Sequence, residues 1–119
     1  MKRAIVVVLF IVLGGAAGLK AHAFVEHAEP AAGSTVQTSP AEVKIRFTEK
    51  IEASFSSIQV FDASGKEVDK RDVHLDHSDR ALLHVSLPQL GVGTYTVAWR
   101  VVSVDTHVTN GTFTFRVVR

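Results

Sequence analysis

Alternation of apolar and polar residues over short segments is the feature that most restricts the fold of this chain. Val43, Ile45 and Phe47 alternate with polar neighbours, and the same pattern returns around Ile58 and Val60 and in three later segments, at 83–87, 94–102 and 113–117. Side chains alternate between the two faces of a strand, so each segment predicts a strand with one buried face. No stretch has a sustained helical period. The sequence therefore predicts an all-β sandwich or barrel.

Turn-forming residues separate these segments. Breaks are predicted at 29–34 and at Ser39-Pro40, and 62–66 is predicted to be a hairpin turn. Residues 66–79 are polar and irregular, with a short strand expected near Val73. Thr109-Asn110-Gly111 is predicted to turn the chain into its last strand.

The first 21 residues have the pattern of a secretory signal peptide. Lys2 and Arg3 precede an unbroken apolar run from Ala4 to Leu13, and small residues follow it. The run is shorter than the ~20 apolar residues that a membrane-spanning helix needs. We therefore expect an exported protein with a signal peptide at 1–21 and one domain at 22–119.

Two cleavage positions compete in this signal. Ala21-His22-Ala23 is an A-x-A pattern, and cleavage after it would leave Phe24 as the first residue. Cleavage after Ala21 would leave His22 first, with Leu19 in the outer small-residue position. The pattern rule favours Phe24, whereas the ligand chemistry described below favours His22.

Composition excludes several classes of function once the signal is removed. Three of the 13 Lys and Arg residues lie in the signal, which leaves 10 against 12 Asp and Glu, a formal net charge of −2. A nucleic-acid-binding protein would show a concentrated basic face instead. The chain has no Cys, and its single Met is Met1, so no thiolate or thioether ligand for cuprous ion remains. All six His residues lie after residue 21.

Asp105 and His107 form a candidate metal-binding pair between the two strongest predicted strands. If the backbone there is extended, their side chains point to the same side. A His22 at the mature N-terminus would add its α-amine and its ring Nδ1, because the amine has a pKa of only ~8 and can deprotonate onto a metal. Three nitrogens and one oxygen favour cupric ion, with zinc as the main competitor. The alternative is that His22 is an exposed terminus and His107 a surface loop residue.

The chain resembles the periplasmic copper-resistance protein CopC family over nearly all of residues 22–119. The resemblance rests on five motifs, and the segment from Trp99 to His107 is the most specific of them. The other four are His22-Ala23-Phe24-Val25, Pro30-Ala31-Ala32-Gly33-Ser34, Pro40-Ala41-Glu42-Val43 with Phe47-Thr48-Glu49, and Gly93-Thr94-Tyr95-Thr96-Val97 with Gly111-Thr112-Phe113-Thr114-Phe115. It implies a small Greek-key β-sandwich or barrel, immunoglobulin-like or cupredoxin-like, that binds copper in the periplasm and is not an enzyme. It also implies cleavage between Ala21 and His22.

Carried over by motif, the resemblance implies that His22, Asp105 and His107 bind one Cu(II) ion. Some family members have a methionine-rich cuprous site, which this chain has no methionine to build, so we expect a cupric site only. Some members have a histidine two residues after the first, where this chain has Phe24. The implied role is a copper carrier or buffer, with an inner-membrane transporter of the CopD type as its partner.

The remaining histidines are weaker candidates. His27 is an odd number of residues from His22, so an extended segment would place the two on opposite faces. His74 and His77 lie among aspartates and could form an adventitious metal site, although a solvated polar loop is the simpler interpretation. His84 alternates with apolar residues and is expected to point to solvent.

Two other functions stay open on the sequence. One is an oxidative enzyme of the histidine-brace type, in which an N-terminal and a second histidine hold copper. The small size of the chain and the carboxylate of Asp105 argue against it. The other is a metal-free β-sandwich used for adhesion or assembly, which would need neither a free His22 nor the Asp105–His107 pair.

Overall fold

A computed structural model describes residues 23–119, which form two four-stranded sheets packed face to face. The predicted signal peptide and His22 lie outside the described residues. Among the described residues, one 3-10 turn lies at Ala53–Phe55. The strands are β1 (Val25–Glu29), β2 (Thr35–Val36), β3 (Glu42–Phe47), β4 (Ser57–Phe61), β5 (His74–Leu75), β6 (Leu82–Ser86), β7 (Gly93–Val102) and β8 (Val108–Val117).

The strand order is β1-β3-β6-β5 in the first sheet and β2-β8-β7-β4 in the second. All neighbours are antiparallel except β2, which runs parallel to β8. The longest pairing joins β7 to β8, from Gly93 opposite Val117 to Val102 opposite Val108. This hairpin of two ten-residue strands supports the turn at 103–107. The predicted all-β sandwich is confirmed.

The core lies between the two sheets and consists of the residues that the alternation pattern selects. Val43, Ile45 and Phe47 are fully buried, and so are Leu83 and Val85 on the adjacent strand. The second sheet contributes Ile58, Val60, Val97, Val101, Phe115 and Val117. Because the chain has no disulfide, burial of these side chains is the main source of stability.

The predicted turn at Thr109-Asn110-Gly111 is wrong, because all three residues lie inside β8. Gly111 is opposite Trp99 in the register, and the indole of Trp99 lies directly over it. A Cβ at position 111 would come within 2.8 Å of the indole carbon Cζ2. Glycine is therefore required here for close packing within a strand, and the hairpin turn lies earlier, at 103–107.

His84 lies on the outer face of the first sheet, as the alternation predicts, but its side chain is not open to solvent. Its side chain is only 12% exposed, because its two ring nitrogens lie 2.8 Å from Glu42 Oε1 and 2.9 Å from Asp76 Oδ1. The ring of His74, its partner across β5 and β6, stacks on it with 5.2 Å between centroids. Two acidic neighbours and a stacked ring thus cover a polar residue on the outer face of the first sheet.

Two other segments lie at the end of the sandwich that carries the β7–β8 turn. Val104 N donates to Lys50 O, and Glu52 N donates to Val102 O, which brings the loop after β3 against the turn. Val25 is opposite Phe47, so β1 begins at the same end.

Among residues 23–119, no helix is long and apolar enough to cross a membrane.

Candidate metal centre

Ser103 holds the β7–β8 turn together from a fully buried position. Its backbone N–H donates to the carbonyl oxygen of His107 at 2.9 Å, and its own carbonyl accepts from Thr106 N at 2.8 Å. Its hydroxyl accepts from His107 N at 3.3 Å. Thr106 has a φ of 72°, a left-handed conformation that a tight reversal requires and that a β-branched residue rarely adopts. The turn is therefore fixed by hydrogen bonds at both of its ends.

Asp105 and His107 both lie on this turn and both are exposed. They stand two residues apart on either side of Thr106, with the long hairpin below them. A carboxylate and an imidazole on one exposed, well-supported turn can bind a metal ion that approaches from outside the sandwich. The structure thus places two of the three predicted ligands on one structural unit, although the positive φ of Thr106 makes the segment a turn where the prediction assumed an extended backbone.

The first described residue, Ala23, is anchored beside this turn. Thr109 Oγ1 donates to the carbonyl oxygen of Ala23 at 2.7 Å, and Ala23 is fully buried. The next residue, Phe24, pairs with Thr48: its N–H donates to Thr48 Oγ1 at 3.0 Å and its carbonyl accepts from Thr48 N at 2.9 Å. Ala23 and Phe24 are therefore both held by hydrogen bonds at this end of the sandwich.

Thr109, Thr48 and Ser103 are the site-building residues that sequence reasoning missed. Each acts through a hydroxyl that bonds a backbone group, and Thr109 is 86 residues from the carbonyl that it holds. Threonine in a strand is ordinary, so no local pattern marks Thr109 within β8. Only knowledge that the N-terminal segment lies beside β8 could have selected Thr109.

Within residues 23–119, no group of three or more His, Cys, Asp or Glu side chains is arranged to hold a metal ion. The predicted set has only Asp105 and His107 in this range, since His22 lies outside it. The described residues therefore offer two of the proposed ligands and the anchor for the segment that carries the third.

His27 has a structural partner of its own. Its Nε2 lies 3.2 Å from Glu29 Oε2, and Lys44 Nζ lies 3.4 Å from the other oxygen of that carboxylate. The hydrogen bond from His27, followed by that from Lys44, lowers the pKa of Glu29. The register of β1 shifts between Val25 and His27. These contacts are those of a surface pair on β1 and β3.

The aspartates around His74 and His77 accept hydrogen bonds from backbone N–H groups. Asp72 Oδ1 accepts from Ser86 N, Asp76 Oδ2 from Ser78 N, and Asp79 Oδ1 from Ala81 N. The pKa of each of the three carboxyls is lowered, with hydrogen bonds from these same three residues as the leading cause. Because the carboxylates are used in this way, the solvated polar loop fits this segment better than an adventitious metal site.

Comparisons with known proteins agree on one family. The family model described as the CopC domain matches residues 25–118. Protein YobA of Escherichia coli K12 is 37% identical over 98 residues, which cover 82% of this chain and 79% of that protein. The copper transport protein CutJ of Bacillus subtilis is 30% identical over 98 residues, which are only 18% of its length.

Solved structures show the same fold. The crystal structure of CopC from Methylosinus trichosporium OB3b superposes with a TM-score of 0.76 at 36% identity, covering 81% of this chain and 93% of that one. The family model spans every strand of both sheets and the Asp105–His107 turn. The function of the chain is therefore related to copper, and the chain belongs to the CopC family.

Proposed function

We propose that the mature protein binds one Cu(II) ion through the amine and ring of an N-terminal His22 together with Asp105 and His107. The observation that carries this proposal is the hydrogen bond from Thr109 Oγ1 to the Ala23 carbonyl. It ties the residue next to His22 to the strand that begins one residue after His107. Two parts of the chain that are far apart in sequence are thereby held at one end of the sandwich.

The burial of Ala23 supports cleavage between Ala21 and His22. Cleavage after Ala23 would remove a residue that is 0% exposed and would leave Thr109 Oγ1 without the carbonyl that it bonds. Cleavage after Ala21 keeps both and frees the amine of His22. The fold therefore supports cleavage after Ala21, whereas the A-x-A pattern alone favours cleavage after Ala23.

The donor set suits cupric ion. An amine, two imidazoles and a carboxylate provide three nitrogens and one oxygen, and Cu(II) is the most tightly bound of the common divalent ions at such donors. The chain has no Cys and no Met after residue 1, so it offers no soft ligands that would favour Cu(I). Zinc would compete through the same donors with a tetrahedral preference.

The proposed role is that of a periplasmic copper carrier or buffer, without enzymatic activity. The two ligands in the described range lie on an exposed turn, where a metal ion can be delivered or removed directly. An inner-membrane copper transporter of the CopD type is the proposed partner. This fits the CutJ relative, in which the matching region is one part of a longer copper transport protein.

Copper titration of the secreted protein, with mass spectrometry of its N-terminus, tests the proposal. We expect a chain that starts at His22 and binds one Cu(II), and we expect His107→Ala to weaken binding at least tenfold. His77→Ala is the matched control, because His77 is also an exposed loop histidine. A secreted chain that starts at Phe24, or a His107→Ala variant with unchanged affinity, would refute the site. Reductant-driven peroxide production by the copper form would support the histidine-brace alternative.

A further inference from the structure

Large exposed apolar side chains are concentrated at one end of the sandwich. In residues 23–119, six such side chains are exposed, and five of them lie at the end that carries the Asp105–His107 turn. Val92, before β7, is the one at the opposite end. The other five are here called the apolar collar: Phe24 (42% exposed), Val25 (37%), Phe55 (67%), Val104 (41%) and Val108 (46%).

The collar residues come from three segments that lie at the same end of the sandwich as the turn. Val104 and Val108 flank Asp105 and His107 along the chain itself. Phe24 and Val25 lie on the segment that Thr109 and Thr48 anchor beside the turn. Phe55 lies in the 3-10 turn, and its carbonyl oxygen accepts a hydrogen bond from Arg100 Nη1 at 3.5 Å. Glu52, the residue before this 3-10 turn, donates its backbone N–H to the carbonyl oxygen of Val102. The collar and the proposed ligands therefore lie at the same end of the sandwich.

Exposed apolar side chains grouped in this way are typical of an interaction surface, whereas scattered ones are ordinary. The buried core of the sandwich is built from other residues and includes none of these five. Phe55 is the clearest case: its position in a 3-10 turn leaves an aromatic ring two-thirds exposed, and aromatic residues are common anchors in protein interfaces.

We infer that the apolar collar is the docking surface for a partner protein that exchanges copper with the turn. This inference rests on the proposed function, since it assumes that the turn holds copper. A partner seated on the collar would cover Asp105 and His107 and could bring its own ligands to the metal ion. The ion would then pass between two proteins without release into solvent.

Charge favours a protein over a membrane surface as the occupant. Around the collar, the carboxylates of Glu49, Glu52 and Asp105 outnumber the two cations, Lys50 and Arg100. Anionic lipid surfaces attract clusters of Lys and Arg and repel such a set. A second copy of the chain is disfavoured as well, because a symmetric contact would place two Asp105 carboxylates near each other.

Site-specific photocrosslinking in the cells that make the protein tests the inference. A benzophenone amino acid replaces Phe55 in the full chain, and a second strain carries it in place of Val92, the matched exposed position at the other end. We expect one protein adduct from position 55 that is absent from position 92 and that contains a copper-binding protein. No adduct, equal adducts from both positions, a lipid adduct, or an adduct of two copies of this chain would each overturn the inference.

Copper transfer to the captured protein, once purified, provides the second readout. Phe55→Ser should slow transfer about tenfold, the scale expected for an aromatic anchor, while Val92→Ser transfers copper like the wild type. Both positions are exposed, so neither variant removes a core side chain. Equal transfer rates for the two variants would overturn the inference even if an adduct forms.

Failure of the inference can be told apart from failure of the proposed function. If the wild-type protein does not bind Cu(II), the proposed function is wrong, and the crosslinks still show whether the collar contacts a protein. If the wild type binds Cu(II) and Phe55→Ser binds it equally, a change confined to transfer belongs to the collar alone.

Discussion

Replacement of Thr109 by Val tests the link between the N-terminal segment and copper binding. The change keeps the β-branched shape and removes the hydroxyl that donates to the Ala23 carbonyl at 2.7 Å. A hydrogen bond of this kind contributes about 0.5–1.5 kcal/mol net, and leaving a buried acceptor unpaired costs about 1–3 kcal/mol. Since Ala23 is fully buried, the upper part of that range applies to the Ala23 carbonyl.

The expected result of Thr109→Val is weaker copper binding with an intact sandwich. If Ala23 is released, copper must order the first residues again, at about 1–2 kcal/mol for each residue fixed. A loss of about 1.4 kcal/mol is tenfold in affinity, so we expect the Kd for Cu(II) to rise about 5- to 30-fold. Competition titration against a Cu(II) chelator measures this change, and far-ultraviolet circular dichroism checks the fold.

Thr109→Ser is the matched control, because it keeps a hydroxyl at the same position. It should bind Cu(II) within about threefold of the wild type, a difference of less than about 0.7 kcal/mol. If Thr109→Val binds Cu(II) as tightly as Thr109→Ser, the anchor does not position His22, and the reasoning that assigns His22 to the site is wrong.

Three further predictions concern the supporting structure. Gly111→Ala should lower the free energy of unfolding by about 1–3 kcal/mol, because the new Cβ meets the indole above it at 2.8 Å; an unchanged urea midpoint would contradict this packing. Ser103→Ala removes the hydroxyl that accepts a hydrogen bond from His107 N, so the Kd for Cu(II) should rise while the core stays folded. Copper titration measures the affinity, and urea unfolding checks the fold. Equal affinity of the variant and the wild type would mean that this hydrogen bond does not orient His107. The hydrogen bond from Ala81 N, followed by that from Arg46, lowers the pKa of Asp79 in the folded state. The ionised Asp79 carboxylate therefore stabilises the fold above its unfolded pKa of ~3.9, and this stabilisation is lost as the pH falls through the lower folded pKa. Over that pH range the urea midpoint should fall less steeply for Asp79→Asn than for the wild type. Identical pH dependence of the two midpoints would refute the assignment.

The core was predictable because burial in a sandwich follows the side-chain period of two. Val43, Ile45 and Phe47 alternate in the sequence and are all fully buried in the structure. The short strand expected near Val73 is present at His74–Leu75. The local pattern was sufficient in these segments because each strand has one face on the core and one in solvent.

Positions that depend on contacts between distant strands were predicted less well. Asn110-Gly111 has turn chemistry, yet it continues β8 because Trp99 on the neighbouring strand covers the glycine. His84 has the alternation of a solvent-facing residue, yet Glu42 and Asp76 enclose it. In both cases a cross-strand neighbour decides the environment, and the local sequence does not name that neighbour.

The candidate site divides in the same way. Asp105 and His107 were selected as candidate ligands from their side-chain chemistry and spacing within one short segment, together with the family resemblance. Thr109, Thr48 and Ser103 were missed, because their partners are backbone groups brought together by the sandwich. Chemistry-bearing side chains are visible in a sequence, whereas the groups that hold them in place become visible only with the fold.

The packing of Trp99 on Gly111 gives the protein a built-in optical probe. Trp99 is the only tryptophan in the chain, and its ring contacts Gly111 on β8 and Phe47 on the opposite sheet, with 5.3 Å between the Trp99 and Phe47 centroids. It also lies four residues before Ser103 on the strand that supports the turn, roughly 13 Å along an extended chain. Separation of the two sheets and occupation of the turn by a metal ion would thus both change the emission of a single fluorophore.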